Sequence, residues 1–150
     1  MAGLLHFEDF QVGQVFPLGP YPVTREEVLD FAREFDPQDF HLDEEAANAS
    51  VLGGLAASGW HTCAMLMRMI CDGYLNRSAG MGSPGLSEVK WLKPVLVGET
   101  LTGTMTVLAA RISKSRPEMG ILDCRWDLFN DKHEKKLEQT GINFMRVRQP

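Results

Sequence analysis

Apolar and polar positions change their rhythm near the middle of the chain. Before about residue 76 it reads as helices joined by ordered loops; after about residue 86 it reads as strands. Thr24-Arg25-Glu26-Glu27 has the form of a capping box, with the Thr24 hydroxyl taking the amide three residues on and Glu27 reaching back. Val28, Leu29, Phe31, Ala32 and Phe35 follow at amphipathic-helix spacing, and Pro37 stops the helix by forcing its predecessor out of helical geometry. A second short helix is predicted from near Asp43, since Glu44 and Glu45 suit the positive end of its dipole. From Trp60 to Leu75 the chain reads WHTCAMLMRMICDGYL, with only His61, Arg68 and Asp72 ionisable. That segment is predicted as a core helix covered on most sides. Met65, Met67, Met69 and nearby Met81 suit core filling, or an adaptable apolar site.

Four strands are predicted after it: Leu86 to Lys93, Leu101 to Ile112, Gly120 to Phe129 and Lys136 to Val147. Pro94 closes the first, and Asn130-Asp131-Lys132-His133 joins the last two. Helices followed by a run of strands predict an α+β domain whose mainly antiparallel sheet wraps the apolar helix. Such a sheet leaves an edge open, which edge-to-edge pairing into a homodimer or higher homo-oligomer would cover.

The 150 residues predict one domain over 1–150, long enough for a core without disulfides or metals. Lys and Arg number 15 against 20 Asp and Glu, a net charge of 15 − 20 = −5. This balance argues against a nucleic-acid binder and against attraction to anionic membranes. No apolar run reaches the roughly 18 residues of a membrane span, and MAGLLHFEDF carries acids where a signal peptide needs a basic start. Cys63, Cys71 and Cys124 are odd in number and lack a CxxC pair, which fits a reducing, cytoplasmic setting. Cys63 and Cys71 read as small buried hydrophobes.

Among the histidines, His6 and His133 read as surface residues and His61 as a packing or capping residue at a helix start. His41 stands apart in Phe35-Asp36-Pro37-Gln38-Asp39-Phe40-His41-Leu42-Asp43, between two helices. Asp36 and His41 are five apart across a stiff proline turn, so a carboxylate and an imidazole can converge on one water and move its proton. Capping by Asp36 and a polar niche for His41 are the structural alternatives. A metal site through His41, Asp43 and Glu44 lacks a second histidine or cysteine at ligand spacing. Neither a phosphate-binding glycine motif nor a GxSxG element occurs. Ser58-Gly59 precedes the apolar helix; Ser58 reads as an N-cap, and the Gly59 amide can approach a ligand as an oxyanion donor does.

Together, FDPQDFHLDEEAANASVLGGLAASGWHTCAMLMRM and EVKWLKPVLVGETL resemble the MaoC-like dehydratases, hot-dog-fold proteins related to (R)-specific enoyl-CoA hydratases. The resemblance runs from FEDFQVGQVF to the last strand. It implies a central helix wrapped by a curved antiparallel sheet, and dimers pairing two sheets. It also implies hydration of a 2-enoyl-CoA thioester, or the reverse dehydration, with Asp36 and His41 catalytic and Gly59 binding the thioester carbonyl. No metal or other cofactor is implied; the CoA thioester is the substrate. Two departures stand out: Gln38-Asp39 where many members carry Asn-Pro, and Met67 where hydratases place a serine eight residues beyond the glycine. A hot-dog thioesterase and a non-catalytic acyl-CoA-binding module are the alternatives. The former wants a carboxylate near the central helix, where this chain offers only Asp72 at the far end. Lys90, Lys93, Arg111, Lys114 and Arg116 are candidates for CoA phosphates, or plain surface charges.

Overall fold

In the computed structural model, which describes residues 3–149, the expectation of helices alone before residue 76 fails at Val15–Pro22. This segment is a strand, β1, although three of its eight residues are proline. Proline removes a ladder donor and is tolerated on an edge strand, and β1 lies at the edge of the sheet against a later strand. Gly19 there has a φ of 88°, and a Cβ on it would lie 2.8 Å from the Met69 side chain and 2.9 Å from the Leu101 carbonyl. The left-handed backbone and the close approach to the Leu101 carbonyl therefore require glycine. Met1 and Ala2, part of the opening segment read for targeting, and Pro150 lie outside the described residues.

Helix α1 spans Arg25–Phe35, and Thr24 Oγ1 accepts the Glu27 amide at 3.3 Å. The reciprocal half of the box is absent because Glu27 instead accepts the Tyr21 hydroxyl at 2.7 Å, which ties β1 to α1. The structure has α2 at Asp39–Leu42, which the sequence does not announce, and then α3 at Glu44–Asn48, the short helix expected from near Asp43. Asp43 separates them by capping α3 through the Glu45 amide.

The long helix α4 covers Gly59–Gly73. His61, Thr62, Met65, Leu66, Met69 and Ile70 form its buried face, while Trp60, Met67, Arg68 and Asp72 are exposed. Coverage on most sides is thus corrected to coverage on one face. The methionines divide accordingly, with Met65 and Met69 in the core and Met67 exposed. Cys63 and Cys71 are half-buried rather than buried; Cys124 is buried, and all three are free thiols.

The strands follow close to their expected bounds: β2 at Gly80–Gly82, too short to read in advance, β3 at Leu86–Trp91, β4 at Thr100–Ile112, β5 at Met119–Phe129 and β6 at Lys135–Arg146. The antiparallel order is β1-β4-β5-β6, with β2 and β3 both paired to the far side of β6. Leu101, Met105 and Val107 of β4, Leu122, Trp126 and Leu128 of β5, and Leu137 and Met145 of β6 share one buried cluster with Leu66 and Met69. This is the hot-dog arrangement that the resemblance implies, a sheet curved round a central helix.

One polar group sits inside that cluster. The Tyr74 hydroxyl donates to Asn143 Oδ1 at 2.9 Å and accepts from Trp126 Nε1 at 3.0 Å, joining the end of α4 to β5 and β6. Burial pushes its phenol far above the usual range, so it stays protonated. Tyr74→Phe leaves a buried donor and a buried acceptor unmatched, an expected loss of about 1–3 kcal/mol. Urea unfolding of the two proteins checks this; equal midpoints would contradict it.

Candidate functional site

Asp36 is the C-cap of α1, placed there because Pro37 ends the helix. The turn that follows leads into α2 and carries His41 back towards it, so that His41 Nε2 lies 3.4 Å from Asp36 Oδ2. His41 is buried and Asp36 largely so. The two candidates separated by five residues are therefore neighbours in space.

Each is held by further groups. His41 Nδ1 lies 2.9 Å from the Ala56 carbonyl, an acceptor only, so Nδ1 carries a hydrogen and Nε2 is the nitrogen that faces Asp36. Asp36 Oδ2 accepts the Ser58 hydroxyl at 2.6 Å, and Oδ1 accepts Gln38 Nε2 at 2.6 Å. The Ser58 hydroxyl first, then Gln38 and the nearby His41, hold the Asp36 carboxyl below its ordinary value against the opposing effect of burial. The separation of 3.4 Å exceeds a direct hydrogen bond of about 2.7–3.2 Å, which suits a water bound by both groups. Such a site can take a proton from water and return one to a neighbouring carbon.

Ser58 is the N-cap residue of α4 as expected, but its side chain makes no cap bond, because its hydroxyl is committed to Asp36. Gln38, noted only as a departure from the family pattern, clamps the other carboxylate oxygen. Asp39 is exposed at the start of α2 and does not raise the Asp36 pKa. Asp43 caps α3 and Glu44 pairs with Arg25, so neither joins His41 as a ligand.

Gly59 opens α4. The first amides of a helix have no intrahelical acceptor, and the dipole adds positive potential there. Gly59 lines a cavity of about 410 Å³ with Asp36, His41, Trp60, Trp91 and Lys93. Its carbonyl accepts Trp91 Nε1 at 2.9 Å, and a Cβ would fall 2.8 Å from that indole. The glycine thus makes room for Trp91 as well as for a ligand, a use invisible without the partner strand. Of the candidate phosphate contacts only Lys93 lines this cavity; it also pairs with Glu134 at 3.0 Å. Lys90 is occupied by Glu88.

His61 does not join the site. It stacks on Phe31 with ring centroids 4.7 Å apart, and burial lowers its pKa. Asp72 pairs with Arg68 at 2.9 Å near the far end of α4. Among the described residues no helix is long and apolar enough to cross a membrane.

Comparison with known proteins shows the family and the fold. Residues 9–122 match the family model described as MaoC like domain. An uncharacterized protein of Bacillus subtilis, YdeM, is 31% identical over 135 residues, covering 89% of this chain and 94% of the relative. The crystal structure of a MaoC-like dehydratase from Rhodospirillum rubrum is 41% identical, with a TM-score of 0.91 and coverage of 97% and 99% of the two chains. An R-hydratase from Pseudomonas aeruginosa shares the fold at 17% identity, with a TM-score of 0.74 and coverage of 97% and 88%.

The clamped carboxylate has a measurable consequence. A carboxyl depressed in the folded state adds stability that is complete above its ordinary value of 3.8 and is lost as pH falls through the folded value. Ser58→Ala removes the largest cause of the depression. The Asp36 carboxyl resonance in NMR is expected to titrate at higher pH in this variant, with a shallower loss of stability below pH 3.8. An unmoved titration would disprove the clamp.

Proposed function

Because the chain belongs to the family of MaoC-like domains, we propose that it is a hydro-lyase that adds water to a 2-enoyl-CoA thioester, or removes it from the 3-hydroxyacyl-CoA, through Asp36 and His41. The observation that carries the reading is the pair itself: two acid–base groups at 3.4 Å, each anchored on its other side, beside the amide end of a long helix in one cavity.

In the hydration direction Asp36 and His41 bind the water. The pair takes its proton as the oxygen bonds to the β-carbon, and the double-bond electrons move to form an enolate at the thioester oxygen. The pair then returns a proton to the α-carbon, so one water is consumed and no oxidant or reductant enters. The two groups act as a coupled unit, so acid and base are assigned to the pair. The Gly59 amide donates to the thioester oxygen as charge develops; a single donor of this kind is worth about 2.7–4 kcal/mol in other enzymes. No metal or other cofactor is invoked.

Lys93 at the mouth offers charge to the CoA phosphates, a local attraction within a chain of net −5. We place the acyl chain in a second cavity of about 660 Å³, lined among others by Cys63, one turn along α4 from Gly59. Met67 stands on its wall and supplies an apolar contact where the family hydratases have a serine. The alternative thioesterase reading wants a carboxylate by the reacting carbonyl, and Asp72 is engaged elsewhere.

A homodimer in a reducing cytoplasm completes the proposal. No strand pairs the outer edge of β3 among the described residues, and Trp60, Leu86, Trp91 and Leu92 are exposed on or beside it. A second copy pairing along β3 covers both the edge and these side chains. Sedimentation equilibrium is expected to give twice the 16.8 kDa chain mass; a monomer would contradict this.

The hydration reading is tested by the loss of enoyl-thioester absorbance with crotonyl-CoA. Asp36→Asn and His41→Ala are each expected to slow turnover at least about hundredfold, the usual contribution of a positioned acid or base. Lys93→Ala in the same series is expected to raise KM and leave kcat nearly unchanged. Equal rates in wild type and both pair variants would sink the mechanism. Release of free thiol with the chromophore intact would indicate thioester hydrolysis instead. Saturable ester binding without turnover would indicate the binding module.

A further inference from the structure

The wall of the larger cavity carries an amide that no protein group satisfies. Gln139 lies on the helix-facing side of β6, is 7% exposed and lines the 660 Å³ cavity. Its Oε1 is sealed from solvent without a hydrogen-bond partner, so the end of the amide open to the cavity is Nε2, a donor for which the protein supplies no acceptor. Buried amides of this kind are normally paired, since an unmatched one destabilises the fold. Its polar neighbours are already engaged: Asn143 accepts the Tyr74 hydroxyl, and Trp126 donates to Tyr74. Cys63, Met67, Ile70, Leu75, Leu86 and Phe144 make most of the remaining wall apolar.

Charge narrows the occupant. None of the residues lining this cavity is Asp, Glu, His, Lys or Arg, so a carboxylate or ammonium on the bound group would be buried without a counter-ion. A neutral oxygen meets no such penalty. A hydroxyl oxygen accepts, so it satisfies the Nε2 end of the Gln139 amide that faces it. A plain alkyl chain leaves that amide unmatched.

Register gives the approximate depth. Gln139 pairs with Val89, two residues along β3 from Trp91, and Trp91 touches Gly59. Two residues of strand span about 7 Å. The oxygen is thus expected on the near part of the acyl chain, a few carbons past the reacting double bond.

We infer that this protein selects acyl-CoA thioesters whose acyl chain carries an additional uncharged hydroxyl, a few carbons beyond the carbons that gain or lose water, held by the Gln139 amide on the wall of the cavity between α4 and β6. The inference rests on the hydration reading for placing the acyl chain there, and it adds the substrate class. Gln139 is a specificity residue and takes no part in proton transfer.

The test separates binding from turnover. Saturated straight-chain acyl-CoA esters of graded length are compared by calorimetry with isosteres in which the terminal methyl is replaced by hydroxyl, using wild type and Gln139→Leu. In wild type, at the length where the oxygen meets Gln139, the hydroxylated ester is expected to bind at least about tenfold more tightly, the yield of one buried hydrogen bond. In Gln139→Leu the preference is expected to vanish or reverse. The variant replaces an unmatched amide by an apolar group of similar size, so its melting temperature should equal or exceed that of wild type. Equal binding of both series in wild type overturns the inference, as does a preference that survives in a folded Gln139→Leu or failure to bind any ester. If the hydroxyl preference appears and the variant abolishes it, but no enoyl ester is hydrated, the inference stands and the hydration reading falls.

Discussion

The structure depends on burying one face of α4 against the inner side of a curved sheet. Met65, Leu66, Met69 and Ile70 are each no more than 2% exposed, and each such side chain contributes about 1.5–3 kcal/mol when removed from water. The packing is tight where α4 meets β1, since a Cβ on Gly73 would lie 2.6 Å from the Leu18 side chain. The opposite face of α4 is left for other uses. Cys63 and Met67 look into the larger cavity, while Trp60 stands beside the smaller one with its ring centroid 5.3 Å from that of Trp91.

Seating the helix also builds the site. The segment entering α4 provides the Ala56 carbonyl that fixes the imidazole and the Ser58 hydroxyl that fixes the carboxylate. A helix start usually spends such a serine on its own amides. Here the serine turns to Asp36, and the first-turn amides are left to a ligand or to water. Stability of the helix end and readiness of the site are therefore opposed locally, and the buried face of α4 holds the arrangement in place.

Much of this was legible in the residues. The Asp36–Pro37–His41 turn reads as a convergence because proline both stops α1 and stiffens the turn, and the long strands read from alternation such as that of β4. Other features were not legible. Val15–Pro22 disguised a strand, since proline tolerance depends on which side of the strand is unpaired, and that is known only once neighbours are assigned. The Ser58 hydroxyl reads as a cap because spacing along the chain cannot tell which acceptor a hydroxyl will meet. The core helix reads as covered on most sides because composition does not record where the wrapping sheet stops.

Periodicity and short separations along the chain are enough for the α+β class, the apolar helix, the convergence of Asp36 with His41 and the place of Gly59 at the helix start. It takes the folded arrangement to show that Ser58 and Gln38 clamp Asp36, that Trp91 fills the space above Gly59, and that Gln139 stands unmatched in an apolar wall. Those relations join residues on different elements, as Ser58 with Asp36, Trp91 with Gly59 and β6 with α4. Their chemistry exists only where folding brings the elements within hydrogen-bond distance and excludes water around them.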